Sequence, residues 1–216
     1  ILSRFYVSPV CAPTRASLMT GRYNYRTRCV DTYVGRAMMD TDEITIAEIL
    51  RDAGYRTGIY GKWHLGDNYP LRPMDQGFQD CLVHRGGGIG QPSDPIGAEG
   101  KYTDPTLFRN GIKTPMQGYC TDIYFDDAME FIQSAVTEDK HFFTYIATNA
   151  PHGPFHDVPE QLYQEYLKAD FRPILINKNI QPQRLKNETD KLARIAAMIT
   201  NIDENVGRLF RKLDAL

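Results

Sequence analysis

Apolar residues recur at helical spacing in three parts of the chain, and each part predicts an amphipathic helix. The first covers about 45–53 and ends near Gly54, because glycine favours a helix C-terminus. The second lies around 124–132, and the third covers about 189–214. The apolar face of the third helix comprises Leu192, Ile195, Ala196, Ile199, Ile202, Val206, Leu209, Phe210 and Leu213.

A shorter helix is predicted from the residues at its two ends. Pro13 suits a first helical turn, and Gly21 suits the position just after the last one. Cys11 then lies at or just before the N-terminus of this helix. Arg15 follows four residues later, so its side chain can share a helix face with the thiol.

Two short runs rich in β-branched and aromatic residues predict strands at 55–60 and 142–147. The region 66–118 is rich in glycine and proline and has little periodicity, so it is predicted to be a long loop region. A further loop is predicted at 151–154. This alternation predicts an α/β domain with helices packed on a parallel or mixed sheet, and ligands binding where strands meet loops.

Composition and charge narrow the classes of partner. The 25 Lys and Arg residues nearly balance the 27 Asp and Glu residues, which favours neither a nucleic acid nor another polyanion as the main partner. No apolar run approaches the ~18 residues of a membrane span, so no membrane partner is predicted. Because the chain begins with Ile1 and ends inside a predicted helix, we expect it to be an excerpt of a longer protein.

The four cysteines lack zinc-site spacing, although one disulfide among them is compatible with their number. Cys11 differs from the others because a helix N-terminus and Arg15 would favour an anion or a thiolate beside it. The alternative is a buried cysteine next to a surface arginine. A cysteine-dependent phosphatase loop does not fit, because it needs arginine where Ser17 stands.

Lys62 and His64 lie two residues apart on strand-like sequence. Both side chains are therefore expected on one face, with Trp63 pointing away. Taken singly, a lysine is usually a solvated surface group, and a histidine is more often structural than catalytic. Only their combination with other motifs favours a catalytic interpretation.

Three motifs resemble those of the type I sulfatases. The stretch 11–21, CAPTRASLMTG, fits the signature Cys-x-Pro-Ser/Thr-x-x-x-x-x-Thr-Gly, with arginine at its fifth position. The stretches 54–57 (GYRT) and 61–64 (GKWH) match a second family signature, and 150–155 (APHGPF) resembles the family's Pro-His-x-Pro loop. The resemblance implies an alkaline-phosphatase-like α/β/α sandwich, with residues 1–216 forming an incomplete N-terminal catalytic domain.

The resemblance also implies a chemistry. A maturation enzyme would convert Cys11 to Cα-formylglycine, whose hydrated aldehyde attacks the sulfur of a sulfate ester. Arg15 is expected to hold this diol, and Lys62 to bridge the diol and the sulfate. His64 is expected to act as the base, and His152 to contact the sulfate near the bridging oxygen.

Further ligands are expected around this centre. His84 and Arg85 are candidates to line the substrate pocket beside Lys62 and His152. The family's divalent cation, usually calcium, prefers carboxylate oxygens as ligands, and these carboxylates would lie outside this chain. Modified Cys11 is therefore the one metal ligand expected within the chain. The run 203–205 is rejected as a substitute, because we expect it on a solvated helix face.

The resulting hypothesis is a sulfuric ester hydrolase acting on an aryl sulfate or a carbohydrate sulfate such as a sulfated polysaccharide. Family habit implies a periplasmic, extracellular or lysosome-like location. One alternative is a phosphonate monoester or phosphodiester hydrolase that uses the same formylglycine. The other is a non-catalytic fragment that lacks the metal carboxylates.

Overall fold

The computed structural model describes residues 4–33, 35–91, 100–175 and 181–216, so 92–99 of the predicted loop region lie outside the described residues. The helices are α1 (Cys11–Thr20), α2 (Ile46–Asp52), α3 (Cys120–Thr137), α4 (Glu160–Tyr166) and α5 (Pro182–Asp214). The strands are β1 (Arg56–Lys62), β2 (Asp80–His84), β3 (Thr106–Arg109), β4 (Ile112–Pro115) and β5 (Phe142–Ala147). Short 3-10 turns lie at Pro73–Gln76 and Arg172–Ile174.

The five strands form one mixed sheet in the order β4-β3-β2-β1-β5. Strand β1 runs parallel to β2 and β5, whereas β3 is antiparallel to both β2 and β4. Lys62 at the end of β1 pairs with His84 at the end of β2. The carboxyl ends of three parallel strands therefore meet at one edge of the sheet, as predicted for the site.

Helices cover both faces of the sheet. On one face, Tyr60 and Leu82 belong to a core that includes residues of α3 and α5. On the other face, Ile59 and Val83 belong to a core that includes residues of α1 and α2. The alternation of adjacent strand residues between two cores gives the three-layer α/β/α arrangement expected from the sequence.

The prediction of one long loop over 66–118 is wrong in part, because β2, β3 and β4 lie inside it. These strands have four or five residues each, too few for a clear alternation of apolar and polar positions. Asn110 and Gly111 join β3 to β4 with φ angles of 48° and 85°. This Asn-Gly pair is a hairpin signal that the sequence contained.

Helix α5 begins at Pro182, earlier than predicted, and buries a different face. Its buried residues are Ala193, Ala197, Met198, Asn201 and Asn205. Ile199 and Phe210 of the predicted apolar face are 50% and 60% exposed. Small and amide side chains occupy the contact with α3, where Asn201 and Asn205 donate hydrogen bonds of 2.8 and 2.6 Å to Asp122.

The cysteines carry no disulfide. All four are free thiols, and Cys11 is the one that is partly exposed, whereas the other three are buried. Within the described ranges, no helix is both long enough and apolar enough to cross a membrane.

Candidate active site

The approach of β1 to β5 depends on a glycine next to the site. Gly61 has a φ of 124°, and a Cβ built on it would lie 2.0 Å from the carbonyl oxygen of Ala147. Any side chain here would collide with the backbone of β5. Glycine at this position therefore lets β1 stay paired with β5 up to the residue before Lys62.

Lys62 is buried, with 3% of its surface exposed, and lies at the N-terminus of α1. Burial first, and then the Arg15 guanidinium, lower the pKa of the Lys62 ammonium. A hydrogen bond and a charge interaction with Cys11 act in the opposite direction. The thiol and the ammonium, which the motifs place far apart in sequence, are thus neighbours in the fold.

Arg15 reaches the end of β1 from α1. Its Nη1 donates a hydrogen bond of 2.6 Å to the carbonyl oxygen of Lys62 and one of 3.4 Å to the hydroxyl of Tyr145 on β5. Because Arg15 lies one helical turn after Cys11, it fixes the backbone of Lys62 relative to the thiol. Tyr145 was not singled out by the sequence, since nothing in a buried strand distinguishes it.

His64 lies beyond the strand, not on it. Strand β1 ends at Lys62, and His64 has a φ of 59°, so a turn rather than the strand pleat places this imidazole. The Trp63 indole packs in the core on the α1 and α2 face. The interaction of the Lys62 charge with His64 shows that the two side chains are neighbours.

The hydrogen bond of His64 identifies its tautomer. Nε2 lies 3.0 Å from the carbonyl oxygen of Thr32, which can only accept, so Nε2 carries the proton. Nδ1 then keeps its lone pair, and it is buried without a hydrogen-bond partner among the residues that the structure describes. Burial first, and then the Lys62 charge, lower the pKa of His64 to about 4. His64 is therefore a neutral base near pH 7.

His152 lies on the loop that follows β5, and its residue is exposed. Its Nδ1 lies 2.7 Å from the carbonyl oxygen of Gly153. The hydroxyl of Tyr102 donates a hydrogen bond of 2.6 Å to the carbonyl oxygen of His152. Its charge also lowers the pKa of His64, so the structure brings both histidines to the same edge of the sheet.

The two remaining candidates diverge at the end of β2. His84 is 2% exposed and stands beside Lys62 in the sheet. The Arg85 guanidinium lies 3.6 Å from the centre of the Phe108 ring. Burial lowers the pKa of Arg85, whereas the Asp67 charge raises it. His84 thus joins the cluster, while Arg85 packs against β3.

The residues around Cys11 suit an anion better than a cation. Both charged groups near the thiol, Lys62 and Arg15, are positive. In the described parts of the chain, no group of three or more His, Cys, Asp or Glu side chains could hold a metal ion. A divalent cation beside Cys11 would therefore need carboxylates beyond those that the structure describes.

The three residues rejected as a metal site are not all solvated. Asp203 and Glu204 are exposed, as expected. Asn205 is 2% exposed and hydrogen-bonds Asp122, so its placement on a solvated face was wrong. The reason is the polar contact between α5 and α3, which spacing of apolar residues does not indicate.

Both the sequence and the fold of this chain are similar to those of known proteins. A family model described as Sulfatase matches residues 1–216. The chain belongs to the sulfatase family. This confirms the resemblance drawn from the motifs around Cys11, Lys62 and His152.

Among sulfatase relatives, the arylsulfatase of Klebsiella aerogenes is 30% identical over 252 aligned residues, which cover 98% of this chain and 54% of that protein. The ulvan-active sulfatase of Formosa agariphila is 26% identical and is matched over 97% of this chain and 39% of its own length. The chain thus spans about half or less of the length of these relatives.

Solved structures support the same family fold. The crystal structure of Ps i-CgsB matches with a TM-score of 0.72 and 27% identity, covering 95% of this chain and 44% of that one. The putative sulfatase yidJ from Bacteroides fragilis matches with a TM-score of 0.78 and 19% identity, covering 96% and 49%. The α/β/α sheet and helices of this chain are therefore those of a sulfatase.

Proposed function

We propose that this chain carries the catalytic residues of a sulfuric ester hydrolase. The observation that supports this most is that buried Lys62 neighbours partly exposed Cys11 at the N-terminus of α1, with Arg15 hydrogen-bonded to the Lys62 carbonyl. Two positive charges in a low-dielectric site favour a sulfate group there over water. Nδ1 of neutral His64 carries a lone pair, so it supplies a base at the same edge of the sheet.

Cys11 would supply the nucleophile once a maturation enzyme has converted it to Cα-formylglycine, as the hydrated aldehyde. The other residues act on the substrate and on protons. Lys62 binds a sulfate oxygen through its ammonium, and Arg15 keeps the Lys62 backbone in place. His64 accepts a proton at Nδ1, and exposed His152 protonates the oxygen of the leaving alcohol.

Calcium or another divalent cation belongs to this proposal as a family property. The carboxylates that would hold it are not among the described residues. Its binding is therefore a separate question, to be measured in the full natural protein by calorimetry.

A carbohydrate sulfate is the substrate class we favour over an aryl sulfate. One relative is named as an ulvan-active sulfatase, and Ps i-CgsB has been solved in complex with k-i-k-neocarrahexaose at 26% identity to this chain. Such polymers are met outside the cytoplasm, so a periplasmic or extracellular location is part of the proposal. Exposed His152 is the residue we expect to reach the sugar first, with buried His84 behind it beside Lys62.

Mass spectrometry tests the nucleophile. The natural protein is expressed with a formylglycine-generating enzyme, and the peptide containing Cys11 is compared with those containing Cys29, Cys81 and Cys120. We expect a loss of about 18 Da at Cys11 alone, the change from thiol to aldehyde. Conversion at none of the four cysteines would favour the non-catalytic alternative.

Substrate competition tests the reaction. Release of sulfate from a carbohydrate sulfate should exceed phosphate or phosphonate release from a phosphodiester or phosphonate monoester. The opposite order would favour the alternative of a phosphonate monoester or phosphodiester hydrolase. Cys11→Ala is expected to abolish either activity.

A further inference from the structure

A run of three glycines follows β2 at the edge of the sheet where the site lies. A Cβ built on Gly87 would lie 2.4 Å from Oε1 of Gln91, the flexible end of a side chain. The same Cβ would lie 3.1 Å from Cε1 of His64, and one built on Gly88 would lie 3.1 Å from Nδ1 of His152. Both distances are closer than a Cβ ordinarily sits to another atom. The backbone of this run is therefore in contact with both imidazole rings.

Backbone conformation does not explain these two glycines. Gly86 has a φ of 63°, which favours glycine, but Gly87 and Gly88 lie outside the left-handed region. Alanine could adopt their backbone conformations without strain. What opposes a side chain at these positions is the space that His64 and His152 occupy, together with the movable Gln91 side chain at Gly87.

The run is held at its start by a carboxylate. The Gly86 N–H donates a hydrogen bond of 3.2 Å to Oδ1 of Asp67, which follows His64 by three residues. Burial raises the pKa of Asp67, while the Gly86 N–H and then Arg85 lower it. Asp67 thus ties the glycine run to the segment that carries His64.

The other end of the run is held by apolar contacts. Ile89 is 2% exposed and belongs to the core on the α3 face. A Cβ on Gly90 would lie 3.2 Å from Cγ of Pro154, in the loop that carries His152. The run is fixed between the two segments that supply the histidines.

We propose that Gly86–Gly88, the glycine bridge, is a positioning segment that sets the separation of the His64 and His152 imidazoles, with Asp67 as its anchor. The inference rests on the proposed function, in which one ring takes a proton and the other gives one. Such proton transfers require both rings within hydrogen-bonding reach of one bound substrate. A backbone segment without side chains between the two rings meets this requirement, because it adds no side chain that could move.

The test uses the full natural protein and two readouts. Histidine ring resonances and their titration report on the position of each imidazole, and steady-state kinetics on a sulfate ester report on catalysis. We expect Gly88→Ala to shift the His152 ring signals and to lower kcat by roughly tenfold or more, with a much smaller change in KM. Gly87→Ala should shift the His64 signals in the same way.

Two matched variants separate positioning from general loss of structure. Gly207→Ala lies in helix α5, where the nearest atom to its Cβ is the flexible end of Arg211, so ring signals and kcat should stay unchanged. Asp67→Asn keeps an acceptor oxygen for the Gly86 N–H and should retain the wild-type ring signals. Asp67→Ala removes that acceptor and should shift the signals of both rings.

Unshifted ring signals in both glycine variants would overturn the proposal. Identical histidine ring signals in Asp67→Asn and Asp67→Ala would also overturn it, since the hydrogen bond that the Gly86 N–H donates to Asp67 would then have no role. A wild-type protein that hydrolyses no sulfate ester would overturn the proposed function instead. The ring signals would still test whether the glycine bridge sets the positions of the two histidines.

Discussion

The two sides of the candidate site are held in opposite ways. On the β1 side, the side chains of Lys62 and His64 are themselves buried. Lys62 neighbours Cys11, and His64 is hydrogen-bonded to the Thr32 carbonyl. On the loop side, the backbone around exposed His152 is held. Tyr102 donates to the carbonyl oxygen of His152, and Arg194 donates a 3.0 Å hydrogen bond to that of Phe155.

This difference separates two tasks. Burial on the β1 side controls charge, because it lowers the pKa of both Lys62 and His64. Backbone hydrogen bonds on the loop side control position and leave the His152 ring accessible to a ligand. Changes on the β1 side should therefore alter charge states, whereas changes on the loop side should mainly alter the placement of His152.

The largest effect is expected at Gly61. Gly61→Ala would drive a methyl group into the Ala147 carbonyl and separate β1 from β5, so we expect a loss of more than about 4 kcal/mol in the free energy of unfolding. Gly54→Ala is the matched control, since Gly54 also has a positive φ but no atom within 4 Å of its Cβ. It should lose roughly 1–2 kcal/mol. Equal losses in urea denaturation would contradict the close approach of the strands.

Lys62→Met should separate stability from activity. Removing a desolvated ammonium from beside Arg15, while keeping a similar shape, should leave the free energy of unfolding unchanged or higher. Sulfate release should fall by about 100-fold or more, since the anion loses its buried partner. Lys168→Met, at an exposed lysine, should change neither quantity. A Lys62 variant that is both active and destabilised would show that the lysine is structural.

The neutral state of His64 predicts a pH dependence of stability. Its pKa is about 4 in the folded chain and about 6.5 when unfolded, so the unfolded state binds more protons between these values. Stability should therefore fall as the pH decreases from about 6.5 to about 4, by up to roughly 3 kcal/mol, and change little below that.

Variants at two histidines assign this dependence. His64→Asn should flatten the curve between pH 4 and 6.5, whereas His156→Asn, at an exposed position, should retain it. Urea denaturation across this pH range provides the measurement. The rate of sulfate release should likewise decline only near pH 4, where the base becomes protonated.

The smallest effect is expected on the loop side. Tyr102→Phe removes the hydrogen bond to the His152 carbonyl, so we expect a loss of about 1 kcal/mol in stability and a modest fall in kcat. Tyr119 is the matched control, because its ring stacks on Tyr102 and its buried hydroxyl has no hydrogen-bond partner in the described ranges. Tyr119→Phe should leave the free energy of unfolding unchanged or raise it. A larger loss of stability there than in Tyr102→Phe would contradict the role of the Tyr102 hydrogen bond in holding the His152 backbone.

Local patterns predicted much of this fold. Pro13 and Gly21 located α1, which begins at Cys11 and is followed by Gly21 in a left-handed conformation. The β-branched and aromatic runs located β1 and β5. The face of α5 was not predicted, because Asn201 and Asn205 are buried through hydrogen bonds to Asp122 on another helix. A pattern of apolar residues cannot indicate a buried polar contact.

The site divides in the same way. Motifs indicated Cys11, Lys62, His64 and His152, and the structure brings them to one edge of the sheet. Their partners Thr32 and Tyr102 come from loops distant in sequence, and no local pattern marks them. The triple glycine was visible in the sequence, but its contact with two imidazoles became apparent only in three dimensions.

Trp63 lies between Lys62 and His64 and is the single tryptophan of these 216 residues. It is fully buried, its Nε1 donates a 2.8 Å hydrogen bond to the Leu71 carbonyl, and its ring meets Phe78 edge to face. Its fluorescence therefore reports on the segment 62–64, which joins strand β1 to the site. A red shift in emission would signal water entering beneath Lys62 and His64 even while circular dichroism still records intact helices.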